Sequence, residues 1–219
     1  MSILLEACRS EERRVGKECV GCYEEAKRAE MRGADRIELC DNLEEGGTTP
    51  SYGTIYLAKK NINIPISVII RPRGGNFVYS NDEFEIMKKD IIICKELGVE
   101  TVVFGILNKN NTIDIDRIRE LVDLAQGLKV TFHMAFDEIY DKFKALEQLI
   151  SIGVDRVLTK GGKDCAEEGK VVLKELVEKS KGKVIILVGG KVTYKNYKTL
   201  SEFIGCKEVH GSKIVGDLN

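Results

Sequence analysis

The sequence predicts an α/β protein, a closed barrel of eight parallel strands joined by helices. Three observations carry this expectation. Short β-branched runs alternate with longer amphipathic segments along almost the whole chain, which is the pattern of parallel βα units. The strand-like runs number eight, the count at which such a sheet closes on itself. One motif also recurs: Gly33-Ala-Asp-Arg-Ile-Glu-Leu, Gly98-Val-Glu-Thr-Val-Val-Phe and Gly153-Val-Asp-Arg-Val-Leu-Thr stand 65 and 55 residues apart. Each joins a helix-ending glycine to an acid and a strand, at about two βα units per interval. The competing open, doubly wound sheet is disfavoured because no strand-to-helix turn carries a GxGxxG or P-loop motif. No nucleotide cofactor is expected.

The strands are read as Ile3–Cys8, Asp35–Cys40, Ile66–Arg71, Thr101–Gly105, Lys129–His133, Asp155–Thr159, Val184–Val188 and Lys207–His210. Helical patterns fill the gaps over 22–33, 52–61, 80–97, 114–126, 142–152, 164–180 and 192–203. The third helix is the best defined. Ser80 and Glu83 form a capping box, Phe84, Met87, Ile91 and Cys94 make one apolar stripe, and Gly98 follows Leu97 as a stop. At 219 residues the barrel is short, and a final helix is expected to be short or missing. Residues 1–219 read as one domain.

Composition excludes several classes of function. With 34 Lys+Arg against 35 Asp+Glu the net charge is −1, which argues against nucleic acid as a partner. Aromatics are 6% of the chain and Trp is absent, so a base-stacking platform is not expected either. No apolar run reaches the roughly 18–20 residues that span a bilayer. The N-terminal Ile-Leu-Leu-Glu-Ala stretch is too short for a signal-peptide core. Seven cysteines with no secretory signal read as free thiols of a cytoplasmic protein.

Strand alternation then picks out an interior. If Leu5, Ala7, Ile37, Leu39, Val68, Ile70, Val130 and Phe132 face the helices, Glu6, Cys8, Glu38, Cys40, Ser67, Arg71, Thr131 and His133 face the lumen. Most of these lie near the C-terminal strand ends, where barrels of this kind place their sites. The glycines of Arg71-Pro-Arg-Gly-Gly75, Gly161-Gly162 and Gly189-Gly190 allow backbone amides to approach a ligand, and Arg71 and Arg73 suit a carboxylate or phosphate. The bland alternative is that the charges neutralise one another as a structural network.

The motifs GADRIELC-x-x-L-x-x-GGTTPS (33–51), IRPRGGNFVYS (70–80), VVFGIL (102–107), TFHMAFD (131–137) and DRVLTKGG (155–162) resemble the CutC copper homeostasis family. The resemblance runs from about residue 20 to 212 and includes the first strand. It implies a TIM-type barrel, a cytoplasmic role in copper handling, and homo-oligomers. It also implies Cys8 and Cys40, in Leu5-Glu6-Ala7-Cys8 and Ile37–Cys40, as Cu(I) ligands, since soft thiolates favour that ion. The family's terminal signature is represented by Val209-His210-Gly-Ser212, which adds His210, with Glu6, to the ligand-binding candidates.

The chain departs from the family pattern in four places. Met134 stands where an Arg is common, Val188-Gly-Gly-Lys191 replaces a Pro-Gly-Gly-Gly loop, and the terminal signature is incomplete. Residues 9–19 form a charged insertion between the first strand and the first helix. It reads either as a loop at the barrel mouth or as a foreign segment. It also leaves open whether Cys8 or Cys19 holds the strand-one position. The spacing Cys19-Val-Gly-Cys22 reads as accidental.

Two functions follow. The first is a protein that binds Cu(I) through Cys8 and Cys40. The second is an enzyme for a small anionic ligand, with His133 and Asp137 as an acid/base pair, Glu38 as a further base, and Arg71 and Arg73 on the anion.

Overall fold

A computed structural model describes residues 2–8 and 22–216. The eight strands β1 (Leu4–Ala7), β2 (Arg36–Leu39), β3 (Ile66–Ile69), β4 (Thr101–Phe104), β5 (Lys129–Phe132), β6 (Arg156–Thr159), β7 (Ile185–Val188) and β8 (Glu208–Gly211) form a closed barrel in sequence order. Every neighbouring pair is parallel, including β1 with β8. The helices between them are α1 (Cys22–Met31), α2 (Tyr52–Asn61), α3 (Asn81–Glu96), α4 (Ile115–Leu124), α5 (Lys142–Ser151), α6 (Ala166–Ser180) and α7 (Tyr197–Ile204). After β8 the described residues contain no further helix. Among them, no helix is long and apolar enough to cross a membrane.

Alternation along the strands explains where the core sits. Ala7, Ile37, Leu39, Val68, Ile70, Val130 and Phe132 all belong to the apolar layer between sheet and helices. The helices supply the other half through single faces, such as Phe84, Met87, Ile91 and Cys94 of α3. That helix begins with the full Ser80–Glu83 capping box. Its end is followed by Gly98 at φ 70°. Ile69, Val103, Leu158 and Leu187 are buried with the opposite strand parity and fill the lumen instead.

One helix begins later than its pattern predicts. Residues 192–196 form a turn, in which Asn196 Oδ1 accepts from the Thr193 amide at 2.8 Å, and α7 starts at Tyr197. Such side-chain-to-backbone bonds compete with the helical ladder. Thr193 also bridges to Lys213 beyond β8, which ties this segment to the chain after the last strand. The insertion at 9–19, with Cys19, lies outside the described residues.

Candidate functional site

The lumen holds a stack of charged side chains beneath the C-terminal mouth. At its lower level Arg36 donates through Nε to Glu6 and through Nη2 to Glu208 Oε2 at 2.7 Å. Arg156 Nε reaches the same Glu208 oxygen at 2.8 Å. Ser67 Oγ donates to Glu6 Oε2 at 3.3 Å. Glu6, Arg36 and Glu208 are all buried. Burial raises the cost of ionising Glu6. The His210 hydrogen bond and the charges of Arg36 and His210 overcome it and bring its carboxyl down to about 2.

Above this level the site opens towards Cys8. Glu6 Oε1 is 2.9 Å from His210 Nδ1, and Glu38 Oε2 lies 4.0 Å from the same nitrogen. One ligand atom from each of Glu6, Glu38 and His210 falls within 4.8 Å of the others. Glu38 Oε2 is buried and has no hydrogen-bond partner. Burial, with the charge of Glu6, pushes the Glu38 carboxyl up to about 7 despite the opposing His210 and Arg36. Burial would depress His210, but Cys8, Glu38 and Glu6 outweigh it and hold the imidazole well above its ordinary range. Burial raises the Cys8 thiol, opposed by its contact with His210. Burial thus favours the Cys8 thiol, while Glu38 and Glu6 favour the protonated His210.

Strand register sorts the two cysteines. Ala7 pairs with Ile37, so the residue level with Cys8 on β2 is Glu38. Cys40 is level with the residue after Val68, one layer further out, where a side chain at Gly47 would meet its thiol. Neither cysteine is in a disulfide; Cys40 is buried and Cys8 half-buried.

The remaining candidates lie on the other side of the mouth. His133 Nδ1 accepts from the Ala135 amide at 3.2 Å, so the neutral ring carries its hydrogen on Nε2, which is buried and has no partner. Burial, helped by the Arg71 charge, lowers His133 to about 3. Its ring packs 4.8 Å from that of Phe77. Asp137 does not pair with it. That carboxylate accepts from Thr159 Oγ1 at 2.6 Å and from the amides of Lys160 and Gly162, and so shapes the loop after β6.

The two arginines are loop staples. Arg71 donates to the carbonyls of Glu45, Gly47 and Gly75 at 2.7–2.8 Å. Arg73 binds Glu83 and the carbonyls of Gly74, Asn76 and Val78. The glycine pairs serve packing in a similar way. Gly161 faces the backbone of Gly169, Gly162 faces Lys142, and Gly190 faces Lys160. Gly189 differs, because a side chain there would enter the lumen against Leu158, Met134 and His210.

Strand alternation in the sequence brings Glu6, Cys8, Glu38, Cys40, Arg71 and His133 to one end of the barrel, and the family resemblance adds His210. The structure groups Glu6, Glu38 and His210, with Cys8 against His210, above Arg36, Glu208 and Arg156, which are not among the sequence candidates. These three stand two residues before Glu38, two before His210 and at the start of β6. The same alternation, continued one step down each strand, finds them.

The comparisons agree with this architecture. The CutC family model matches residues 16–215. The human copper homeostasis protein cutC homolog is 45% identical over 194 residues, covering 89% of this chain and 71% of that protein. A CutC family protein of Parabacteroides distasonis is 45% identical over 201 residues, covering 91% and 83%. The crystal structure of CutC from Streptococcus agalactiae superposes with a TM-score of 0.87 at 40% identity, over 97% of this chain and 99% of that one. An aldolase from Aeropyrum pernix, at 15% identity and a TM-score of 0.66, shares the fold alone. A TIM-type barrel with these motifs and this degree of identity belongs to the CutC copper homeostasis family.

Proposed function

We propose that this chain serves copper homeostasis in the cytoplasm by holding Cu(I) at the C-terminal mouth of its barrel, with Cys8 as the anchoring thiolate. The observation that carries the reading is the Cys8 thiol set against His210 at the end of β1, with the buried Cys40 one layer out on the adjoining strand. With neighbouring strands about 4.8 Å apart and about 3.3 Å of rise per residue, that offset separates the two Cα atoms by roughly 8 Å. Two inward thiols can converge on a small ion between the layers. Thiolate ligands favour Cu(I) over harder ions, and binding by both cysteines releases two thiol protons for one monovalent cation. The name shared by the relatives supports the same reading.

An anaerobic Cu(I) titration against a chromogenic chelator tests it. The wild type should retain one equivalent, and Cys8→Ser and Cys40→Ser should each release it. Loss in Cys40→Ser alone would point to Cys19 as the strand-one ligand. Failure of the wild type to compete would end the copper-binding reading.

A second reading, an enzyme for a small anion, draws on one observation. The neutral His133 presents an unpartnered, buried Nε2–H close to the Arg71 charge, a pairing that suits a carboxylate or phosphate oxygen. On this reading His133 is a hydrogen-bond donor and Glu38 the acid/base group. Millimolar phosphate should then raise the Tm of the wild type and leave His133→Leu unmoved. Equal shifts in both proteins would count against it. Arg71→Ala is the poorer test, because three loop carbonyls depend on that side chain.

A further inference from the structure

We infer that Glu6, Glu38 and His210 form a second metal site, which the Cys8 thiol in contact with His210 would complete, built for a borderline divalent cation such as Zn²⁺ and separable from a two-thiolate Cu(I) site. Cys8 is common to both, so the inference shares that residue with the copper reading but does not need Cys40.

Geometry is the first support. Ligand atoms of a tetrahedral Zn²⁺ site, each about 2.1 Å from the ion, stand about 3.4 Å apart. The separations of His210 Nδ1 from Glu6 Oε1 and Glu38 Oε2, 2.9 and 4.0 Å, straddle that value. All three atoms lie within 4.8 Å of one another, so side-chain adjustments alone would bring them around one ion.

The second support is the state of Glu38. Its side chain is more than nine-tenths buried, at 8% exposure. Its Oε2 faces the cluster and has no hydrogen-bond partner. A buried carboxylate oxygen without a donor is costly, and a cation at the cluster would satisfy it.

The third support is the supporting shell. The two oxygens of Glu6 are divided, with Oε2 taken by Arg36 and Ser67 and Oε1 left facing His210. Outer-shell bonds of this kind orient a carboxylate ligand. Below, Glu208 pairs with both Arg36 and Arg156 and continues the network.

The donor set selects the class of ion. Below the cluster Glu6 and Glu208 pair with Arg36 and Arg156, so the cationic side chains there are already matched by carboxylates. The nitrogen, two carboxylates and thiolate suit Zn²⁺ or Co²⁺. Mg²⁺ and Ca²⁺ instead prefer oxygen alone.

Co²⁺ added to metal-free protein is the spectroscopic probe. The wild type should take up one equivalent with tetrahedral visible bands and a thiolate-to-cobalt charge-transfer band, and Zn²⁺ should displace it. Glu38→Gln, which preserves shape, and His210→Gln should each weaken binding at least about tenfold, the loss caused even by removing an outer-shell partner. Cys8→Ser should remove the charge-transfer band, and Cys40→Ser should change neither band nor affinity. No cobalt uptake, or uptake indifferent to Glu38→Gln, would overturn the inference. So would loss in Cys40→Ser. Because Cys40→Ser should abolish Cu(I) binding yet spare Co²⁺, failure of either site is distinguishable from failure of the other.

Discussion

Arg36→Met is expected to lower the unfolding free energy by about 3–5 kcal/mol at pH 7, the cost of removing one member of a buried ion network. Arg36 is 3% exposed and donates to both Glu6 and Glu208. Without it, two buried carboxylates face one another with Arg156 as the remaining guanidinium bonded to Glu208. The methionine fills much of the volume but supplies no donor.

The pH dependence separates charge from packing. In the wild type Glu6 is held at about 2, against an ordinary value of 4.5. Its folded pKa is depressed, so its contribution is present above 4.5 and is lost as pH falls through 2. In Arg36→Met the carboxyl protonates at a higher pH, and a protonated Glu6 no longer needs the missing cation. The deficit should therefore shrink between pH 7 and pH 4 in urea unfolding. An equal or larger deficit at pH 4 would mean that lost packing, not unpaired charge, is responsible.

Gly169→Ala is expected to destabilise the fold by at least about 2 kcal/mol, even though alanine is the better helix former by about 1 kcal/mol. A Cβ at Gly169 would stand 2.0 Å from the Lys160 carbonyl oxygen and 3.2 Å from the Gly161 Cα. Both neighbours are backbone, so no side chain can swing aside. Either α6 must retreat from the loop after β6 or that loop must move. The loop is pinned by Asp137 through Gly162 and Lys160. Urea unfolding with an unchanged m-value would report the loss, whereas a midpoint at or above that of the wild type would refute the close-approach account. The same displacement would disturb the mouth, since Gly190 closes on Lys160 and its carbonyl accepts from the Ala166 amide at the start of α6.

Several features of the site could be read before any coordinates. Alternation in Leu5-Glu6-Ala7-Cys8 and Ile37-Glu38-Leu39-Cys40 is a local property, and it assigns Glu6, Cys8, Glu38 and Cys40 to the lumen directly. The partners of Arg71 and Asp137 could not be read in this way. Arg71 looks like an anion ligand in Arg71-Pro-Arg-Gly-Gly75, yet its guanidinium is occupied by carbonyls contributed by Glu45 and Gly47, more than twenty residues earlier. Asp137 stands four residues from His133, but the 3₁₀ turn over Met134–Glu138 and the amides of the following βα unit take its carboxylate elsewhere. Residue type suggested a role in each case, and a loop that folds back from another unit changed it.

By itself the sequence determined the barrel, the order of its strands, the helix-facing apolar set and part of the polar lining of the lumen. These follow from periodicities of two and 3.6 residues, which act over one element at a time. Only the tertiary structure decided which lumen residues share a level: Glu6 beside His210, Glu38 beside Cys8, and Cys40 one layer above. Level depends on the stagger of a closed ring, which all eight strands set together. No single strand carries that information, so the cluster of Glu6, Glu38 and His210 emerges only when β8 returns to pair with β1.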